Sequence, residues 1–135
     1  MKYEFFDHTA DAKFRAYGKT VEEAFSSAAE AMTAVMVKPE SIDKKIRKEI
    51  SAEGEDKKSL LYDFLEQLLV LLNEGFFLNS VEKIEIKGKV LKATVVGDSY
   101  KKKYDINCEV KAITYHEMEV KKLKDRYMVQ VIVDI

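Results

Sequence analysis

The sequence predicts an α+β fold: a single domain of two helices packed on about six to eight mostly antiparallel strands. Three observations lead there. Two segments, one after Thr20 and one after Ser59, repeat apolar residues at a helical period. Most of the rest alternates apolar and polar residues, the period of a half-buried strand. Five glycines and one proline, scattered singly, punctuate these segments and form no linker. A chain of 135 residues suits one domain and can bury a sizeable core.

The elements follow in order. K-Y-E-F-F reads as a first strand and A-K-F-R-A-Y as a second, with Ala12, Phe14 and Ala16 on one face and Lys13 and Arg15 on the other. Asp7 to Asp11 then lies at the junction between them, and Gly18 ends the pair. Thr20 and Glu23 form a capping-box pattern. The helix it opens carries Val21, Ala24, Phe25, Ala28, Met32, Val35 and Met36 on one stripe. It stops before Lys38-Pro39, because proline pushes the preceding residue out of the helical region. Ile46 and Ile50 mark another strand. The second helix is capped by Asp56 or Ser59, presents Leu60, Leu61, Phe64, Leu65, Leu68, Leu69 and Leu72, and ends at Gly75.

After Gly75 only strands are expected. Ile84 and Ile86 alternate with charge before a turn at Gly88. Leu91, Ala93 and Val95 follow, and Gly97-Asp98-Ser99 reads as a second turn. Ile106, Cys108, Val110 and Ala112 read as one strand, and Tyr127, Val129, Val131 and Val133 as the last, with a hairpin tip at Lys124-Asp125-Arg126.

Composition narrows function. Twenty-three basic residues nearly cancel twenty-four acidic ones, for a net charge of −1. Such a chain exerts no long-range pull on a polyanion, so nucleic-acid binding requires a local patch. The single cysteine excludes an intrachain disulfide and fits a reducing, cytoplasmic setting. No apolar run approaches the ~20 residues a membrane helix needs, so a soluble protein without a membrane partner is expected. There is no P-loop, dinucleotide fingerprint, C-x-x-C or H-E-x-x-H, and no serine or cysteine in a nucleophile context. Cys108 reads as a core thiol. A stand-alone enzyme is not expected.

Two stretches carry candidate chemistry. The chain ends V-I-V-D-I. Val129, Val131, Val133 and Ile135 face one way, so Asp134 faces the other, close to the terminal carboxylate. Anions so close together call for a cation, either a Lys or Arg or a metal. Asp7, His8 and Asp11 offer further oxygen and nitrogen donors. An oxygen-rich set suits Ca²⁺, Mg²⁺ or Mn²⁺, and an added imidazole tilts toward Mn²⁺ or Zn²⁺. The alternative is structural: Asp7 or Asp11 caps a turn, His8 is a satisfied histidine and Asp134 pairs with a lysine. The second stretch is E-V-K-A-I-T-Y-H. Lys111 faces away from Val110 and Ala112, either as an edge-strand lysine that blocks aggregation or as a cation near the acidic site. His116 lies just past a strand end. Lysine runs at 101–103 and at Lys121, Lys122 and Lys124, with Tyr100, Tyr104 and Tyr127 nearby, are either solvated faces or an RNA-binding surface.

D-H-T-A-D, K-A-I-T-Y-H and V-I-V-D-I, in this order, together with the helix opening S-L-L-Y-D-F-L, resemble the archease family over essentially the whole chain. The resemblance implies an archease-like fold and a cytoplasmic accessory protein rather than an enzyme. It implies a cofactor of the RtcB-type RNA ligase of tRNA splicing and RNA repair, which uses GTP and Mn²⁺; the archease promotes guanylylation of the ligase histidine and repeated turnover. It also implies a second role, a chaperone-like modulator of a tRNA cytosine-5 methyltransferase, with tRNA engaged directly or through that partner. On this resemblance the metal ligands fall on Asp11, Asp134 and Ile135, and Lys111 matches a lysine that matters for activation. Asp7, His8 and His116 lie in the motifs and belong to the partner or activation surface. A divalent cation is implied, with Ca²⁺, Mn²⁺, Mg²⁺ and Zn²⁺ all open.

Overall fold

A computed structural model describes residues 1–7 and 10–135. These residues form seven strands and two α-helices in the order β1 (Tyr3–Phe6), β2 (Asp11–Gly18), α1 (Val21–Met36), β3 (Ile46–Glu53), α2 (Lys57–Asn73), β4 (Phe76–Lys87), β5 (Val90–Ser99), β6 (Ala112–Lys122) and β7 (Tyr127–Asp134), with a short 3₁₀ turn at Pro39–Ser41. A four-stranded sheet runs β1-β2-β7-β6 and a three-stranded sheet runs β3-β5-β4. Every strand pairing is antiparallel, so the predicted α+β class holds.

Both helices form where the capping residues place them. The Thr20 hydroxyl accepts from the Glu23 N–H at 3.0 Å. Asp56, one of the two candidates, caps α2: its carboxylate accepts from Ser59 N–H at 2.8 Å and Ser59 Oγ accepts from Asp56 N–H at 3.1 Å. Gly75 ends α2 in the left-handed region, φ +94°. The helices make the middle layer. α1 lies against β2 and β4, α2 against β3 and β6, and the Phe25 and Phe64 rings stack between them at 6.3 Å. The buried face of α2 is the apolar stripe read from the sequence, Leu60 through Leu72.

Two expectations fail, one at the end of β5 and one between β5 and β6. Ile106 to Val110 is not a strand, and β6 begins only at Ala112. The segment lies over the end of α1 and serves that helix instead of a ladder. Asn107 N–H donates to the Met36 carbonyl at 2.7 Å, and the Cys108 thiol donates to the Val35 carbonyl at 3.2 Å. These are carbonyls a helix C-terminus leaves unsatisfied. The alternation arises because Val110 and Tyr104 are buried while their neighbours face water. Cys108 is half-buried on this connection, not on a strand.

Gly97-Asp98-Ser99 is not a turn either; it is the end of β5. Asp98 is 1% exposed there. Its carboxylate accepts from Lys101 Nζ at 2.5 Å, Tyr104 Oη at 2.6 Å and Ser99 N–H at 2.9 Å, while Tyr104 Oη accepts from Asp43 N–H at 3.1 Å. One carboxylate thus ties the irregular segment to the β5 end. The Lys101 hydrogen bond first, then that of Tyr104, hold the Asp98 carboxyl below the usual carboxylate value. A carboxyl with a depressed folded pKa contributes stability that is fully present above its unfolded value, about pH 4. That contribution is lost as pH falls through the lower folded value. The acid limb of melting temperature against pH is therefore expected to be shallower in Asp98→Asn than in the native chain. Superimposable limbs would remove Asp98 from the linkage.

Candidate functional site

The register of β2 on β7 brings the front of the chain to its end. Asp11 pairs directly with Asp134, followed by Ala12 with Val133, Lys13 with Ile132, Phe14 with Val131 and Arg15 with Gln130. Val129, Val131 and Val133 are fully buried toward the helices. Alternation therefore sets Asp11 and Asp134 on the opposite face, side by side. Directly opposed residues in an antiparallel pair hold their Cβ atoms ~4.5–5.5 Å apart, and like charges so placed repel. Asp11 is half-buried; Asp134 and Ile135 are exposed, the latter at 42%. β7 is buried from Met128 to Val133 and emerges into solvent at Asp134.

Lys111, the residue before β6 and so not an edge-strand lysine, lies at the same end. Its N–H donates to the Asp134 carbonyl at 2.8 Å, and the following Ala112 pairs with Asp134 in register. Its side chain is exposed. Asp7 is exposed directly after β1, and Ala10 takes φ +62° immediately before Asp11, a conformation that costs a non-glycine residue. His8 lies outside the described residues. His116 is not at this end. It sits in the β6 irregularity between Thr114 and Glu119, exposed, with Nε2 3.4 Å from a Glu117 carboxylate oxygen.

Below the acidic pair the same face carries a polar row the sequence did not reveal. Glu117 takes φ +54° in the irregularity. Its carbonyl accepts from Gln130 Nε2 at 2.7 Å and its carboxylate meets Lys13 Nζ at 2.9 Å. Arg15 Nε donates to Gln130 Oε1 at 2.9 Å, and its guanidinium lies 4.8 Å over the Phe6 ring. Tyr17 Oη donates to Glu4, and Arg126 covers the Tyr17 ring at 3.8 Å. Gln130, Ile132 and Met128, on the same face of β7 as Asp134, are buried. The signals present in the sequence were Gln130 inside an apolar strand and the period-two charges of β2.

The donor set at the sheet end fits a hard cation. Two neighbouring carboxylates with the chain-terminal carboxylate of Ile135 are all oxygen, the preference of Ca²⁺, Mg²⁺ and Mn²⁺. Among the described residues no three His, Cys, Asp or Glu side chains come together.

The whole-chain comparisons agree with this architecture. Residues 3–135 match the model of the Archease protein family. The chain is 45% identical to the protein archease of Pyrococcus abyssi over 141 aligned positions, covering 99% of both chains. The solution structure of protein 1598 of Methanobacterium thermoautotrophicum superposes with a TM-score of 0.85 at 35% identity, covering 99% of both chains. An archease of Thermotoga maritima, named a possible chaperone, shares the fold at a TM-score of 0.67 and 23% identity, with 96% of this chain and 94% of that one covered. In sequence over its full length and in its two-sheet, two-helix architecture, the chain belongs to the archease family.

Proposed function

We propose that this chain is an archease-type protein cofactor of the RtcB-type RNA ligase, working in the cytoplasm to promote ligase guanylylation and multiple turnover in tRNA splicing and RNA repair. The supporting observation is the direct pairing of Asp11 with Asp134 beside the chain terminus. Opposed carboxylates cost stability unless a cation lies between them. The pair stands at a sheet end where Asp134 is exposed, which supports a site that presents positive charge to a partner.

In this reading Asp11, Asp134 and a main-chain or terminal oxygen of Ile135 hold a divalent cation. Bound there, the ion supplies charge neutralisation for phosphate oxygens. Exposure of Asp134 and Ile135 leaves it reachable by a docked protein. Lys111, fixed to Asp134 through its main chain, adds a permanent cation at the same edge. Asp7, exposed directly after β1, belongs to the docking surface, and His8 is assigned to it by the sequence motif alone. His116, beside Glu117, belongs to its margin.

The test is reconstitution with the ligase of the same source, measuring guanylylation and turnovers per ligase. Asp11→Ala, Asp134→Ala and Lys111→Ala are each expected to lower stimulation by at least about tenfold, equivalent to about 1.4 kcal/mol. Full stimulation by all three folded variants would overturn the proposal.

A further inference from the structure

At the opposite end of the β2–β7 ladder the charge is reversed. The ladder is eight residues long, which at ~3.3 Å per residue sets its ends about 23 Å apart. There a cleft of about 460 Å³ opens between the first turn of α1 and the β6–β7 hairpin. Lys19, Lys122, Lys124 and Arg126 line it, against the carboxylates of Glu22 and Asp125. Tyr127, half-buried, forms part of its wall. A second cleft of about 360 Å³ shares Lys19 and Arg126 and extends past Tyr17 to Lys2 and Met1.

Four cationic side chains face two carboxylates in the first cleft, a local cationic excess. Among the described residues some lysines are paired, Lys2 with Glu30, Lys13 with Glu117, Lys101 with Asp98 and Lys103 with Asp43, and others, such as the exposed Lys102, are not. Lys19, Lys122 and Lys124 form no ion pair among the described residues. The start of α1 is not the source of attraction, since Thr20 already caps it and Glu22 and Glu23 stand in its first turn. Lysines bunched at like sign repel one another. In a concave site of ligand size, that arrangement serves an anion.

We infer that the cleft between α1 and the β6–β7 hairpin is a binding site for a phosphate-bearing nucleotide ligand, with the phosphates on Lys19, Lys122 and Lys124 and a ring against Tyr127. The two sources of that chemistry are a single-stranded RNA and a free nucleotide. The site is separate from the acidic end that carries the proposed function.

The experiment measures binding to the full chain, without ligase or divalent cation, of a short fluorescein-labelled single-stranded RNA, of ATP and of inorganic phosphate. With three lysines engaged, the logarithm of RNA affinity should fall against the logarithm of salt with a slope of about −2, at about 0.7 per phosphate for a single strand. Lys122→Glu with Lys124→Glu should weaken binding at least about tenfold and flatten that slope. The milder Lys122→Gln with Lys124→Gln, which adds no negative charge, should give a smaller loss of the same kind. The exposed Lys102→Glu, distant in sequence, serves as the charge control and should change little. RNA binding lost in the cleft variants supports the site with a strand as ligand. ATP binding alone, lost in the same variants, supports it with a free nucleotide. Absence of binding by both, binding of inorganic phosphate alone, or equal loss in the Lys102 control overturns it.

Discussion

Gly97→Ala is expected to destabilise the fold by about 3 kcal/mol or more, the range reserved for forced steric or packing defects. A Cβ built on Gly97 would fall 1.9 Å from the Phe77 carbonyl oxygen and 2.9 Å from the Phe77 carbonyl carbon. The obstacle is backbone, so rotamer changes cannot relieve it. β4 and β5 must separate where Leu78 faces Gly97, next to the register shift between Leu78 and Ser80. The same strand end carries Asp98 and its bonds to Lys101 and Tyr104, so the loss should spread into the following irregular segment. Denaturant unfolding checks this. A variant within about 0.5 kcal/mol of the native chain, the scatter of ordinary surface changes, would contradict the close approach.

The second large effect concerns the cation. A ligand held at about a hundred times its dissociation constant stabilises by about 2.7 kcal/mol. For a domain of this size that corresponds to a rise in melting temperature of about 8–10 °C. The native chain is expected to show such a rise with Ca²⁺, Mg²⁺, Mn²⁺ or Zn²⁺, reversed by EDTA. Asp134→Asn should abolish it by removing one of the paired carboxylates. A C-terminal tag should reduce it too, because the Ile135 carboxylate becomes an amide, whereas an N-terminal tag should not. No rise with any of the four ions in the native chain would end the metal reading. Equal tolerance of both tags would remove Ile135 from the donor set and leave the aspartates in it.

The two expectations belong to sites that differed in how legible they were. Asp11, Asp134 and Lys111 drew notice as an acid-rich junction, an acid at the chain end and a lysine between apolar neighbours, and the resemblance tied them together. Spacing alone left turn capping open, because an aspartate before a strand serves a cap or a cation equally well. The β2–β7 register is what pairs Asp11 with Asp134. Gly97-Asp98-Ser99 misled for a related reason. Glycine, aspartate and serine are turn formers, yet a glycine also lets two backbones close, and no local pattern separates the two uses. Residues 106–110 misled because alternation records which side chains are buried, not where the backbone hydrogen bonds go.

The basic cleft shows the same division. Lys122 and Lys124 were visible as part of a lysine run, but Lys19 lies about a hundred positions earlier, and only folding puts them around one concavity.

The sequence by itself determined the two helices and their buried faces, the N-cap of the first, the strand-rich remainder and the acidic chain end, because these depend on periodicity and on neighbours within one turn or one strand. The tertiary structure decided which strands pair, that Asp98 becomes the anchor of an irregular segment, that Glu117 closes over Lys13 and Gln130, and that opposite ends of one ladder carry opposite charge. Those outcomes join residues distant along the chain. Their energies come from burial and register, which exist only once the whole core has closed.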